Sequence, residues 1–239
     1  MNTSLKFVLK ILIITSVFSL STIVVSANAQ SILNQVRQNI KTKQEELKKE
    51  VVTKREEAKK QIETVRQEAQ KKAKAKLDEV KAKISQIKDE QKRKTAENLQ
   101  EQLNHINEQW TTHFSDVLNQ FDNVLAKIEI RAAKAETNGQ NVSNVKTAIE
   151  TARVAIKTAR DATALQAAKV YTVTFDSESK LRDAFKTIKE QLKTDLAGLR
   201  DGAIKNARKA TQDVFQVLRQ IPGVDKEPTA TSTPAGTNK

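Results

Sequence analysis

The sequence predicts an all-α protein, a long charged N-terminal helix of eleven-residue repeats continuing into an antiparallel three-helix bundle. Three observations predict it. Gly and Pro are scarce, five and three in 239 residues, where ordinary usage would give roughly three and four times as many. All five glycines lie at or beyond Gly139 and the first proline is Pro222. Nothing in the first 138 residues therefore compels a helix to stop. Acidic pairs recur at a fixed step through the first half. Apolar residues three and four apart dominate the second half, which is the spacing of one helix face.

Taken in order, residues 1–29 read as a secretory signal. Lys6 and Lys10 precede an uncharged, mostly apolar run over 11–25, and Ala27-Asn28-Ala29 supplies a small-x-small cleavage pattern. The expected mature start is Gln30, and the expected location is periplasmic or extracellular, associated with the cell envelope. Left uncleaved, the segment would be a signal anchor, although its 15 apolar-run residues are short against the ~20 of a spanning helix.

Residues 30–98 are expected to form a charged rod. Glu45-Glu46, Glu56-Glu57, Asp78-Glu79 and Asp89-Glu90 recur at eleven-residue steps, with Gln67-Glu68 in the remaining slot. In the same register Leu47, Ala58, Ala69 and Val80 follow the acids, and Val51, Ile62, Ala73 and Ile84 come four later. Eleven residues over three turns is about 3.67 per turn, so this thin stripe runs nearly straight along the helix. Lys48, Lys49, Lys59, Lys60 and Lys71 cluster around it. Pairs such as Glu50–Lys54, Glu79–Lys83, Asp89–Arg93 and Glu90–Lys94 should each add ~0.3–0.5 kcal/mol of local support. The stripe residues Leu47, Val51, Ile62, Val80 and Ile84 are the candidate protein–protein seam. The five lysines are the candidate contacts to an anionic surface.

From Leu99 onward the side chains grow large. Leu103, Trp110, Phe114, Phe121 and Leu125 lie on one face and are assigned to the bundle core, over residues 99–220. Residues 137–141 read as a turn with Gly139 at C′, and Ser143 as the next N-cap. The second helix contributes Ile149 and Ile156 on a small-residue face. Tyr171-Thr172-Val173-Thr174-Phe175 is β-branched and aromatic, hence an extended connection. Asp176 or Ser177 then caps a third helix contributing Phe185, Leu192 and Leu218, in which Gly198 and Gly202 permit a bend. Residues 221–239 read as a disordered Thr/Pro tail.

The chemistry is sparse. With no cysteine there is no disulfide, thiolate ligand or cysteine nucleophile. His105 and His113 are two helical turns apart and do not converge on one metal, and the carboxylates sit beside lysines on solvated faces. No phosphate loop or nucleophile elbow is present. The expectation is no enzyme, no cofactor, no metal and no small-molecule substrate. Net charge is +13, yet acids interleave with the bases along residues 41–98, 12 against 19, which argues against nucleic acid. The expected function is that of a non-enzymatic exported structural or interaction protein, its rod a spacer or coiled-coil seam to itself or to another helical envelope protein. The alternative is peripheral binding of an anionic membrane or polymer surface through the Lys-rich helix.

Over residues 99–170 the chain resembles a loose group of uncharacterised exported helical proteins of bacteria, particularly small-genome lineages. The resemblance rests on the segment Phe121-Asp122-Asn123-Val124-Leu125-Ala126-Lys127-Ile128, the turn Asn138-Gly139-Gln140-Asn141-Val142-Ser143 and the Ala-rich helix that follows. It implies a helical, exported protein and no particular activity.

Overall fold

The structure, a computed structural model, describes residues 25–226. The expected signal therefore lies outside the described residues up to residue 24, and the expected tail lies outside them beyond residue 226. Every regular element among the described residues is helical: α1 (Val25–Ser85), α2 (Glu90–Thr137), α3 (Ser143–Ala167), α4 (Leu181–Leu199) and α5 (Lys205–Arg219). A 3-10 turn, Glu178–Lys180, leads into α4, and a π turn, Arg200–Ile204, joins α4 to α5 without a break in the helix. Gly202 lies inside that π turn.

The chain reverses after Ser85, so the helix does not run on to residue 98. The last turn of α1 closes with Gln86 N–H on Lys83 O and Ile87 N–H on Ile84 O. Asp89, in extended conformation, then caps α2 by accepting from Lys92 N–H at 3.0 Å. Asp and Asn favour this position because the short carboxyl or amide oxygen satisfies an otherwise orphaned amide. Ile84 and Ile87 are both buried at the corner, and their removal from water fixes the reversal. Asp89 thus serves as a cap instead of the helical partner of Arg93, whereas Glu50–Lys54, Glu79–Lys83 and Glu90–Lys94 form as the spacing predicts.

α2, α3 and the continuous α4–α5 helix make the three-helix bundle, and α1 folds back along α2 and α3 on the other side. α2 is therefore packed on two flanks. Its buried arc includes Gln100, Leu103, Asn107, Thr111, Phe114, Leu118, Asp122 and Leu125. Phe114, Leu125, Ile149, Ile156, Phe185, Leu192 and Leu218 are buried with Leu103, and Phe121 packs half-buried against them. Trp110, which its spacing assigned to the core, is instead 42% exposed. The double packing rotates the buried arc towards Asn107 and Thr111, and leaves Trp110 on its edge against Phe114 and His113.

Two ends also differ from expectation. Val142, not Ser143, is the N-cap residue of α3, and Ser143 N–H is held by Asn141 Oδ1. Gly139 takes φ +77° at the end of α2, the left-handed conformation that its position required. The first residues of the expected disordered tail are tied down: Ile221 and Val224 are buried, and Asp225 accepts two hydrogen bonds from the Arg131 guanidinium at 2.8 and 2.9 Å. Gly223, at φ +64°, makes the reversal that brings them there.

Candidate anionic-surface interface

The eleven-residue register of α1 sorts its faces. Leu47, Ala58, Ile62, Val80 and Ile84 are buried, and Val51, Ala69 and Ala73 are half-buried. The whole stripe, including the residues expected to form an intermolecular seam, faces α2 and α3 of its own chain. The small alanines suit this, because they let two long helices approach closely.

Two residues after the stripe positions, about 200° around a helix of this pitch, come Lys49, Lys60 and Lys71. They form a row on the solvent side at steps of about 16 Å, and Lys48 and Lys59 flank it; all five are exposed. Glu46, Glu56, Glu57 and Glu68 are exposed on α1 among these lysines, and other acids of the helix are ion-paired. Glu45 takes Lys48 at 3.0 Å, Glu50 takes Lys54 at 2.6 Å and Glu79 takes Lys83 at 2.8 Å. Those hydrogen bonds hold the three carboxyls below the ordinary glutamate range. Lys49, Lys59, Lys60 and Lys71 make no ion pair among the described residues. Two stretches contain no acid at all: residues 69–77, with Lys71, Lys72, Lys74 and Lys76, and residues 30–44, with Arg37, Lys41 and Lys43. Since α1 has 61 residues and α2 has 48, α1 is about 20 Å the longer. Its first turns, with Ile32 exposed and Leu33, Val36 and Ile40 half-buried, extend past the end of α2.

The inside of the molecule holds a polar cluster that the sequence reading missed. Gln100, Asn104 and Asn107 occupy i, i+4 and i+7 on α2 and grip the extended segment after α3. Gln100 Nε2 donates to Tyr171 O at 2.7 Å while its Oε1 accepts from Val173 N–H at 2.9 Å. Asn104 does the same around Tyr171, accepting from its N–H at 2.9 Å and donating to its carbonyl at 3.0 Å. Asn107 donates to Gln166 O and Lys169 O. Side-chain amides thus replace the neighbouring strand that an extended segment ordinarily needs. Tyr171 Oη accepts from Gln166 Nε2 and donates to Asp195 Oδ2 at 2.7 Å, and Lys169 Nζ reaches the same carboxylate at 2.9 Å. Burial and the Asp195 carboxylate push the Tyr171 hydroxyl well up. Burial opposes ionisation of Asp195, but the Tyr171 and Lys169 hydrogen bonds outweigh it and leave that carboxyl below its usual range. The signal was present as three amides on one helical line, in a chain where Gln, Asn and Lys are frequent throughout.

A second buried polar group joins α2 to α3. Arg160 donates to Asp122 at 2.6 Å and Asn119 at 2.8 Å. A lone buried ion pair contributes little net stability but is expensive to break on one side, so it fixes the pairing of the two helices. His105 contacts Gln109 and His113 stacks edgewise on Trp110. Among the described residues no three metal-binding side chains converge, and no helix is long and apolar enough to cross a membrane.

The fold and its surface define an all-α helical protein whose long basic helix is exposed along one side. No protein-family model, no curated protein and no solved structure matches the chain.

Proposed function

We propose that the chain is a non-enzymatic, exported interaction protein of the cell envelope that binds anionic surfaces through the lysine face of α1. In this reading the α1–α2 hairpin is also a spacer. The observation that carries it is the division of α1: its apolar stripe is taken up within the chain, and its remaining face presents Lys49, Lys60 and Lys71 unpaired among the described residues. The acid-free turns over 30–44 add Lys41 and Lys43 level with the last turn of α2 and Arg37 beyond it. Cations near an anionic leaflet contribute roughly 1 kcal/mol each and are screened within a Debye length. Binding is then reversible, salt-sensitive and indifferent to sequence.

Co-sedimentation of the expected mature chain, residues 30–239, with vesicles rich in anionic lipid tests this. Binding is expected at low salt, falling steeply as salt is raised, with zwitterionic vesicles leaving the protein in solution. The triple substitution K49Q/K60Q/K71Q should weaken it by up to about a hundredfold without changing helical circular dichroism. Equal binding to both vesicle types, or none to the anionic ones at low salt, would remove the reading.

A further inference from the structure

A groove of about 930 Å³ runs between the first half of α2 and the start of α4, on the side of the molecule away from α1. Its floor is apolar: Leu99, Leu103 and Ile106 from α2, Leu181 and Phe185 from α4. Leu99 is 38% exposed there and Ile106 half-buried, so these two open to water above the buried Leu103, Leu181 and Phe185. Large apolar side chains lining an open groove between two helices are the usual seat of a third amphipathic helix.

The charge around the groove identifies which kind. Arg182, Lys186 and Lys189 stand along its α4 edge at i, i+4 and i+7, all exposed and without an ion pair among the described residues. The acids that line the groove are engaged. Lys92 holds Glu178 at 3.1 Å and Asp89 at 3.9 Å at the closed end, and Lys193 reaches Glu190 at 3.6 Å. The unsatisfied charge on the rim is thus positive, spread over about 10 Å of helix. A single lipid headgroup carries its charge at one point and cannot engage three cations so spaced. Carboxylates at the same i, i+4, i+7 spacing on a docked helix engage all three.

We propose that this groove docks an acidic amphipathic helix of a partner protein, leucine-like side chains on Leu99 and Ile106, and Glu or Asp against Arg182, Lys186 and Lys189. The partner is not a second copy through its free α1 turns: residues 30–44 are apolar on one face but carry no acid. Nor is it the chain's own C-terminal segment, where residues 227–239 hold one acid and two prolines. The groove is separate from the lysine face of α1, so the vesicle experiment and this one fail independently.

The probe is a synthetic amphipathic helix of about 18 residues, five turns, with Leu along one face and Glu flanking it. Trp110, the chain's one tryptophan, lies one turn beyond Ile106 on α2 and reports occupancy by its emission. Titration of the full chain should give a saturable blue shift, absent with a scrambled peptide of the same composition. R182Q/K186Q/K189Q changes only exposed side chains and should weaken binding about tenfold, and Leu99→Glu should abolish it. Equal affinity for the triple variant, or no binding of the acidic peptide, would overturn the proposal. So would saturable uptake of monomeric dodecyl phosphate without peptide binding, which would assign the groove to a lipid chain.

Discussion

Tyr171 is held by three helices at once: its backbone by Gln100 and Asn104 of α2, its hydroxyl by Gln166 of α3 and Asp195 of α4. It is the chain's one tyrosine, which makes its ionisation readable without assignment. A group whose pKa is raised on folding contributes stability below the unfolded pKa and loses it as pH rises past that value. The phenolate band of the folded protein should therefore stay absent through pH about 10, where unfolded tyrosine titrates, and emerge with unfolding at higher pH. Asp195 works in the opposite direction. Its lowered carboxyl pKa contributes stability above the unfolded value of about 4, lost as pH falls below it. Ultraviolet titration against pH, followed beside circular dichroism, checks both limits, and a Tyr171 that titrates near its unfolded value in the native protein would contradict the buried Asp195 contact. At this scale the sequence was half readable: residues 171–175 declared an extended segment by their β-branched and aromatic side chains. Their partners did not declare themselves, because an amide that satisfies a buried backbone and one that faces water are the same residue.

The elements themselves were more readable than the places where they end. Scarcity of Gly and Pro, the register of Leu47, Ala58 and Val80, and the three- and four-residue steps after Leu99 all reappear as helices, the first stripe buried and the second buried at Leu103, Phe114 and Ile128 but exposed at Leu99, Trp110 and Val124. Gly139 marked its turn because only a residue tolerant of positive φ fits there. The break at residues 86–89 has no such marker. Asp89 belongs to the series of acidic pairs, and a cap differs from a repeat acid only by what its carboxyl reaches, here Lys92 N–H. The thinness of the α1 stripe likewise concealed its use, since Ala58, Ala69 and Ala73 look too small to be buried until two helices are brought close. Asp89→Ala removes the cap while leaving the corner residues Ile84 and Ile87 in place. It should cost about 1 kcal/mol, read as a thermal midpoint lower by roughly 2–4 °C for a fold of this size. An unchanged midpoint would mean that Ile84 and Ile87 alone set the reversal.

For the whole molecule the consequence of that corner is length. One helix running from residue 25 to residue 137 would be about 170 Å long, whereas the folded hairpin is limited by α1 to about 90 Å. The absence of cysteine allows both ends to be labelled in one chain as K41C/T137C, at exposed positions. In the hairpin Lys43 lines the same cavity as Ala133 and Glu136, so the two dyes sit within about 25 Å, given interaxial distances of ~8–10 Å and dye linkers. In a continuous rod they would be about 140 Å apart and transfer would vanish. High transfer in solution is the expected result, and the same sample with anionic vesicles present then separates two modes of surface binding. Transfer that persists means that the lysine row binds with the hairpin closed, as the division of α1 into an apolar inner and a cationic outer face requires. Transfer lost on binding would mean that α1 leaves α2 and lays its stripe into the lipid interface. The Lys49, Lys60 and Lys71 substitutions would then matter less than Leu47, Ile62 and Ile84, and the hairpin would be the closed state of a membrane-opened protein.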